Sequence, residues 1–229
     1  LVSSSAASDV YKRQRQAFRV GVTQILTKNS LMSANLETIT DEGFLRSPYR
    51  TARILIGGIS TGINEVYPET RTSNALSFRF KYFLPYRAAL SGEYRYFDDT
   101  WGIKASQVEI GYTHPWRENW IFDVHYRYYT QEKADFYSDL FDGIKTLMSR
   151  DKELSTFQDH TIGVGVSYEF KTEQWGFIDR GTFNLELDHI RFNYDDFRDL
   201  TASGSFAAGD EPLYSFSANV IKAYLSIWY

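Results

Sequence analysis

The sequence predicts an all-β fold, an antiparallel up-and-down transmembrane β-barrel, of which about nine strands are visible. Three observations predict it: apolar residues at alternate positions in residues 213–229, a high aromatic content, and connections that alternate between short and long. Aromatic residues make up 17% of the chain, which favours strands over helices. A barrel strand needs only about ten residues with every second one apolar, so the mean hydropathy of -0.40 is compatible with this fold.

Residues 213–229 form the most regular of these strands. Apolar side chains alternate with a second row that contains Lys222, Tyr224 and Trp228. The ending resembles the C-terminal strand of bacterial outer-membrane barrels, which assembly machinery recognises by a terminal aromatic residue and alternate apolar residues. Tyr224 stands where that signal often has Gly. We therefore expect an assembly signal at four positions, Lys222, Leu225, Ile227 and Tyr229, with a half-buried strand of a soluble β-protein as the alternative.

Composition excludes several function classes. The net charge of -4 argues against a nucleic-acid partner, for which a basic face is expected. The absence of cysteine excludes disulfides and thiol chemistry. The sequence contains no apolar run approaching the roughly 18 residues of a membrane-spanning helix.

Residues 1–14 resemble translated sequencing-adapter DNA. We expect them to be an artefact without defined structure. On this interpretation residues 15–229 are the C-terminal part of a single outer-membrane barrel whose remaining strands lie upstream.

The connections between the predicted strands support a membrane barrel over a soluble sandwich. The expected strands are residues 16–26, 30–38, 72–83, 87–98, 105–115, 120–130, 160–170, 181–192 and 213–229. The linkers between them are alternately short and long, with the longest at residues 39–71 and 131–159. Short turns at one end and long loops at the other are typical of outer-membrane barrels.

Alternation within each strand separates a charged face from an apolar face. We assign the apolar face, with residues such as Phe78, Val108 and Val164, to outer-membrane lipid. A charge at the lipid midplane costs about 2 to 4 kcal/mol, so charged positions must face a lumen. The predicted lumen-lining residues are Arg79, Lys81, Glu93, Arg95, Gln107, Glu109, Asp123, His125, Arg127, Glu186 and Asp188.

Hairpin geometry predicts the partners of these charges. A hairpin centred on Arg117 pairs Glu109 with His125 and Gln107 with Arg127. A hairpin centred on Pro85 places Arg79 opposite Ser91 and diagonal to Glu93. Both pairings indicate opposite charges close together, either along a selective passage or in a ladder that neutralises charge inside a plugged barrel.

Four segments resemble a family of bacterial proteins of unknown function that are predicted outer-membrane barrels. They are ITDEGFL at residues 39–45, EYRYFDDTWGI at 93–103, ADFYSDLF at 134–141 and RDKELSTF at 150–157. The resemblance implies the fold and the outer-membrane location. It implies no activity for any named residue.

The long loops carry the remaining candidates for metal binding and catalysis. Clustered carboxylates in residues 131–159 and 193–212 are compatible with a hard cation, but they lack EF-hand spacing, and we expect acidic, solvated loops. The four histidines have no ligand-like spacing, so no metal and no cofactor is expected. Asp159 or Ser155 with His160 is the local arrangement that a rim hydrolase would need.

These observations predict an integral outer-membrane barrel, porin-like or transport-associated, with a charge-lined lumen. The alternative is a non-conducting structural or surface-interaction barrel that acts through its long loops. An outer-membrane hydrolase is a third, weaker hypothesis, and we expect no enzymatic activity. The solute or surface partner is unknown from the sequence.

Overall fold

The computed structural model describes residues 12–171 and 179–228. The strands are β1 (Arg13–Thr27), β2 (Ser30–Gly43), β3 (Thr51–Ile56), β4 (Ile59–Asn64), β5 (Thr70–Phe83), β6 (Ala89–Asp99), β7 (Lys104–Trp116), β8 (Trp120–Gln131), β9 (Phe157–Lys171), β10 (Arg180–Arg198) and β11 (Leu213–Trp228). A 3-10 helix, Lys152–Leu154, is the helical element of this part of the chain. Within the same residues, no helix is long and apolar enough to cross a membrane.

Nine strands form one antiparallel sheet in the order β1-β2-β5-β6-β7-β8-β9-β10-β11. This confirms the predicted all-β meander and all nine predicted strands. In the described sheet β1 and β11 each have a single neighbour, so the sheet is not closed into a barrel. Residues 1–11, most of the segment interpreted as adapter-derived, lie outside the described residues, whereas Arg13 and Gln14 of that segment are the first residues of β1.

The two faces of the sheet differ in chemistry. The charged face carries residues such as Arg79, Glu109 and Arg127, and the apolar face carries residues such as Phe78, Val108 and Tyr128. Apolar side chains on that face are open to the surroundings, with Ile110 58% exposed and Ile221 70% exposed. The sheet therefore has no packed core against its apolar face.

The band of apolar side chains crosses the sheet at an angle to the rows of directly paired residues. Following the paired residues from strand to strand leads from Leu36 on β2 to Ser215 on β11. On β11 the apolar residues lie farther along, from Ile221 to Leu225 and beyond. Strands tilted by about 35 to 45° relative to a membrane normal produce this offset, because a band of constant height then crosses each strand at a shifted position.

The buried core lies in the connections at one end of the sheet. We call residues 44–69, 100–103, 132–156 and 199–212 the loop cluster. One of its hydrophobic groups surrounds Trp101 and Phe136, whose ring centroids are 5.2 Å apart, and a second contains Ile54 and Met148. The long loops thus pack on one another as a folded layer above the sheet.

The hairpin of β3 and β4 belongs to this layer and was not predicted. Its two-residue turn, Gly57 and Gly58, has φ of 59° and 81°, which fits a type I′ turn. Leu55 donates to the carbonyl oxygen of Phe141 at 2.8 Å, and Phe141 donates back to that of Arg53 at 2.9 Å. The hairpin is therefore anchored to the loop that joins β8 to β9.

Candidate functional site

The eleven residues predicted to line a lumen occupy alternate positions of five strands and share the charged face. They are Arg79 and Lys81 on β5, Glu93 and Arg95 on β6, Gln107 and Glu109 on β7, Asp123, His125 and Arg127 on β8, and Glu186 and Asp188 on β10. Register brings these positions into neighbouring rows across β5 to β10. The charged face is thus a wall of mixed acidic and basic groups, in which Glu93 and Glu109 lie directly opposite each other.

The predicted pairings within this wall were wrong by two residues. Glu109 lies opposite Arg127, and His125 lies opposite Gly111. Arg79 lies directly opposite Glu93, with Nε and Nη2 donating to Glu93 Oε2 at 2.7 and 2.5 Å. The hairpins close one residue later than expected, and moving a centre by one residue shifts each partner by two.

A compact polar cluster on the wall spans four neighbouring strands, β8 to β11. His125 Nε2 lies 3.4 Å from Asp188 Oδ1, and Lys222 Nζ lies 3.3 Å from Asp188 Oδ2. Gly163 stands between His125 and Asp188, where a Cβ atom would collide with both side chains. Glycine at position 163 therefore leaves the space in which His125 and Asp188 approach each other.

Lys222 also contacts Glu186, with Nζ 3.2 Å from Oε2. Its side chain therefore belongs to the charged wall, while Leu225 and Ile227 lie on the apolar face. Tyr229, the last residue of the expected assembly signal, lies outside the described residues. Recognition of this signal by assembly machinery stays a prediction.

The predicted lumen-lining set includes no residue of β1, β2 or β9, and the structure adds charged residues on these strands to the wall. Glu37 pairs with Arg19 at 2.6 Å and with Arg95 at 3.8 Å. Arg127 donates through Nη2 to Asp159 Oδ1 and to Thr161 Oγ1, each at 3.1 Å. The period of two on those strands was the available signal. Arg19 on β1 and Glu37 on β2 each follow an apolar residue, which points to the opposite face.

A cavity of about 420 Å³ opens where the charged wall meets the loop cluster. Arg71 forms part of its lining, pairs with Asp99 at 2.6 Å and lies 4.6 Å from the ring centroid of Trp101. Arg95 lies on the same cavity, together with Arg13, Asp41, Gln107, Tyr129, Gln131, Asp151 and Glu153. Charged groups of both signs line this space together with apolar residues such as Phe97, Ile103 and Leu154.

The loop carboxylates are largely paired, which corrects the expectation of solvated acidic loops. Asp139 is buried and accepts from Arg150, whose Nη2 lies 2.7 Å from Oδ1, and from the backbone N–H of Arg198 at 3.0 Å. Asp151 pairs with Arg50. Asp142 does remain exposed. Within residues 12–171 and 179–228, no three His, Asp or Glu side chains converge to hold a metal ion.

The residues proposed for a rim hydrolase do not converge. Asp159 lies on the charged face with Arg127, whereas His160 lies on the apolar face and its Nδ1 is 2.8 Å from Tyr126 Oη. Ser155 is buried and donates to the carbonyl oxygen of Lys152 at 2.6 Å. Successive residues of a strand point to opposite faces, so Asp159 and His160 cannot act on one substrate atom.

Glu211 fastens residues 199–212 to the β3–β4 hairpin. Arg53 Nη2 donates to Glu211 Oε1 at 2.6 Å, and the N–H of Gly209 donates to Oε2 at 2.9 Å. The hydrogen bond from Arg53 is the main reason that the pKa of Glu211 falls from 4.5 to about 2. A carboxylate with a lowered pKa stabilises the folded state above its unfolded pKa and loses that contribution as the pH falls through its folded pKa.

We therefore expect residues 199–212 to stay protected from hydrogen exchange at pH 5 and above and to lose protection between pH 4.5 and about 2. Exchange rates corrected for their intrinsic pH dependence measure this. Glu211→Gln removes the titrating group, so its protection should be lower and flat across the same interval. Protection in the wild type that is unchanged down to pH 2 would show that the Arg53–Glu211 pair does not hold this loop.

The fold is similar to that of three solved structures of one outer membrane protein, OmpT of Vibrio cholerae. The in-vitro folded form matches at 13% identity and a TM-score of 0.52, its trimer form at 14% and 0.50, and the outer-membrane expressed form at 13% and 0.51. Each match covers 96% of this chain. The chain spans only 57% to 58% of the length of those structures. This similarity shows an outer-membrane barrel fold.

No curated protein matches the chain. A family model described as Protein of unknown function (DUF3570) matches residues 3–180, which is most of the chain. This confirms the resemblance to an uncharacterised family that the segments in residues 39–157 indicated. The chain belongs to the DUF3570 family of proteins of unknown function.

Proposed function

We propose that the chain is part of an integral barrel of the bacterial outer membrane, which passes small polar solutes along its charged wall. The membrane location is supported by the apolar face, where residues such as Val22, Ile110 and Ile221 are more than half exposed across many adjacent strands. A contiguous apolar surface of this extent is unfavourable in water, and lipid is the partner that suits a whole sheet face. The fold of the OmpT structures supports the same location.

The charged wall is the observation that carries the proposal of a passage. Its groups are arranged in ion pairs such as Arg79–Glu93 and Arg127–Asp159, which join neighbouring strands. The cavity of about 420 Å³ lies where this wall meets the loop cluster, and it offers a polar solute a first binding position. The wall and the cavity together form a polar path from the loop cluster along the sheet.

Among the charged residues predicted to line the lumen, two have no hydrogen bond or ion pair within the described part of the chain, Lys81 and Glu109. Uncompensated charges dominate the field that an ion meets in a narrow polar space. We expect Glu109→Gln to shift selectivity toward anions and Lys81→Gln to shift it toward cations. Reversal potentials of the complete gene product, refolded in detergent and inserted into a planar bilayer under a salt gradient, measure both shifts.

A matched control is the double variant Arg79→Gln with Glu93→Gln, which removes one charge of each sign from a pair. Its reversal potential should stay near the wild-type value. Equal selectivity in all four proteins would remove these residues from the conducting path. A folded barrel without any conductance would instead support the alternative function.

That alternative is a non-conducting barrel that acts through its loops. The observation that favours it is the loop cluster, in which Ile54 and Met148 are fully buried, because a folded layer presents a defined surface to a partner. We propose no enzymatic role, since Ser155, Asp159 and His160 are directed away from one another. The bilayer measurement separates the two remaining functions.

A further inference from the structure

A polar patch interrupts the apolar face near the loop end of the last three strands. The outer polar patch consists of His160 on β9, His189 and Arg191 on β10, and Ser215, Ser217 and Asn219 on β11. Register places Arg191 opposite both His160 and Ser217. These residues therefore share a face with Val164, Leu187 and Ile221, which pair with one another on the same strands.

Arg191 is exposed, and its partners are neutral. Nη1 donates to Ser217 Oγ at 3.2 Å and Nη2 donates to Ser215 Oγ at 3.1 Å. Within the described residues its guanidinium forms no ion pair, whereas Arg79 and Arg127 on the charged wall each contact a carboxylate. The next carboxylate on this face of β10, Asp195, lies four residues farther along, about 13 Å of extended strand. Arg191 thus presents an uncompensated positive charge.

The position of the outer polar patch along the strands places it at the membrane surface. Toward the short turns, the same face of β10 continues with Leu187, Leu185 and Phe183. Beside it on β8 lie Tyr126 and Tyr128, and His160 Nδ1 is 2.8 Å from Tyr126 Oη. Tyrosines of this kind sit at the level of lipid headgroups, and a charge is tolerated there at about 0 to 1 kcal/mol. The patch therefore faces headgroups on the loop side.

We infer that the outer polar patch binds the phosphate-bearing headgroup of an anionic glycolipid in the leaflet on the loop side. This inference rests on the proposed membrane location. The planar guanidinium of Arg191 matches two phosphate oxygens, and phosphate is the anion for which arginine is best suited. The serine hydroxyls, Asn219 and the two imidazoles surround it with groups that bind sugar hydroxyls.

Lipid A, a diphosphorylated glucosamine disaccharide lipid, is the probe. Native mass spectrometry of the complete gene product in detergent measures the fraction of protein that carries one lipid. Arg191→Gln should weaken this binding about tenfold, as expected for the loss of about 1.4 kcal/mol from one charged hydrogen-bonding group. Arg117→Gln is the matched control, because Arg117 is an exposed arginine at the opposite end of the sheet.

Further measurements distinguish lipid-bound phosphate from free phosphate, and they test this inference separately from the proposed membrane location. Lipid A stripped of its phosphates should bind the wild type as weakly as lipid A binds Arg191→Gln. Equal binding of lipid A to the wild type and to Arg191→Gln overturns the inference, and so does inorganic phosphate that displaces the lipid at equal concentration. The heat-dependent gel mobility typical of membrane barrels tests the proposed location separately, so a folded barrel that binds no lipid refutes this inference alone.

Discussion

Glu65→Ala is expected to open the loop cluster while leaving the sheet folded. Glu65 is 1% exposed, and Oε1 accepts from the N–H of Arg150 at 2.7 Å and from Ser149 Oγ at 3.1 Å. Oε2 accepts from Tyr67 Oη at 2.9 Å. Burial raises the pKa of Tyr67 well above its ordinary value, so this hydroxyl stays protonated and donates. Glu65→Ala removes the acceptor of these three donors, and a buried polar group left without its partner costs about 1 to 3 kcal/mol.

Limited trypsin digestion of the detergent-folded protein measures the effect. We expect cleavage within residues 44–69 and 132–156 to accelerate at least tenfold, because a local opening cost lowered by about 1.4 kcal/mol already gives that factor. The heat-dependent gel mobility of Glu65→Ala should match that of the wild type, which would show that the barrel is still folded. Glu132→Ala, at an exposed position of the same cluster, is the control and should digest at the wild-type rate. Loops of Glu65→Ala that resist trypsin as well as the wild type would refute the role of Glu65.

The strands of the sheet could be predicted because their residues obey one local rule. On β7, Gln107, Glu109 and Gly111 alternate with Val108 and Ile110 without interruption. A face that meets lipid and a face that meets polar groups impose this period on every strand, so each strand carries the full signal by itself. The assignment of charged residues to a common face follows from the same alternation.

Strand register could not be predicted with the same accuracy. Arg87 and Arg117 adopt φ of 68° and 57° in the turns after β5 and β7. Such angles are usually marked by Gly or Asn, and an arginine gives no warning of them. A two-residue error keeps every side chain on its correct face, so the faces were right while partners such as Glu109 and Arg127 were missed.

The loop cluster was the part least accessible from sequence. Glu65 contacts Ser149 and Arg150 across more than 80 residues of chain. Loops without periodicity carry no local pattern that would reveal such pairing, and their carboxylates therefore suggested solvated loops. One signal was available: Gly57 and Gly58 between two β-branched runs are typical of a two-residue hairpin turn.

Gly163→Val is expected to destabilise the sheet by about 1 to 3 kcal/mol, the usual cost of overfilling a packed site. A Cβ at Gly163 would collide with the imidazole of His125 and with Asp188 Oδ1, so His125 must leave its position 3.4 Å from Asp188. Lys222 would then be the remaining partner of that carboxylate. The midpoint of urea unfolding in detergent, followed by tryptophan fluorescence, measures the loss.

Gly92→Val separates this steric effect from the general effect of replacing a strand glycine. Gly92 lies mid-strand on the apolar face of β6, and no atom lies within 4 Å of the Cβ that a side chain would add. Valine favours strands, so this variant should unfold at the wild-type midpoint or above it. If both variants shift the midpoint equally, the space at Gly163 is not reserved for His125 and Asp188. A lower midpoint in Gly163→Val alone would show that the glycine is required for the two side chains to meet across β9.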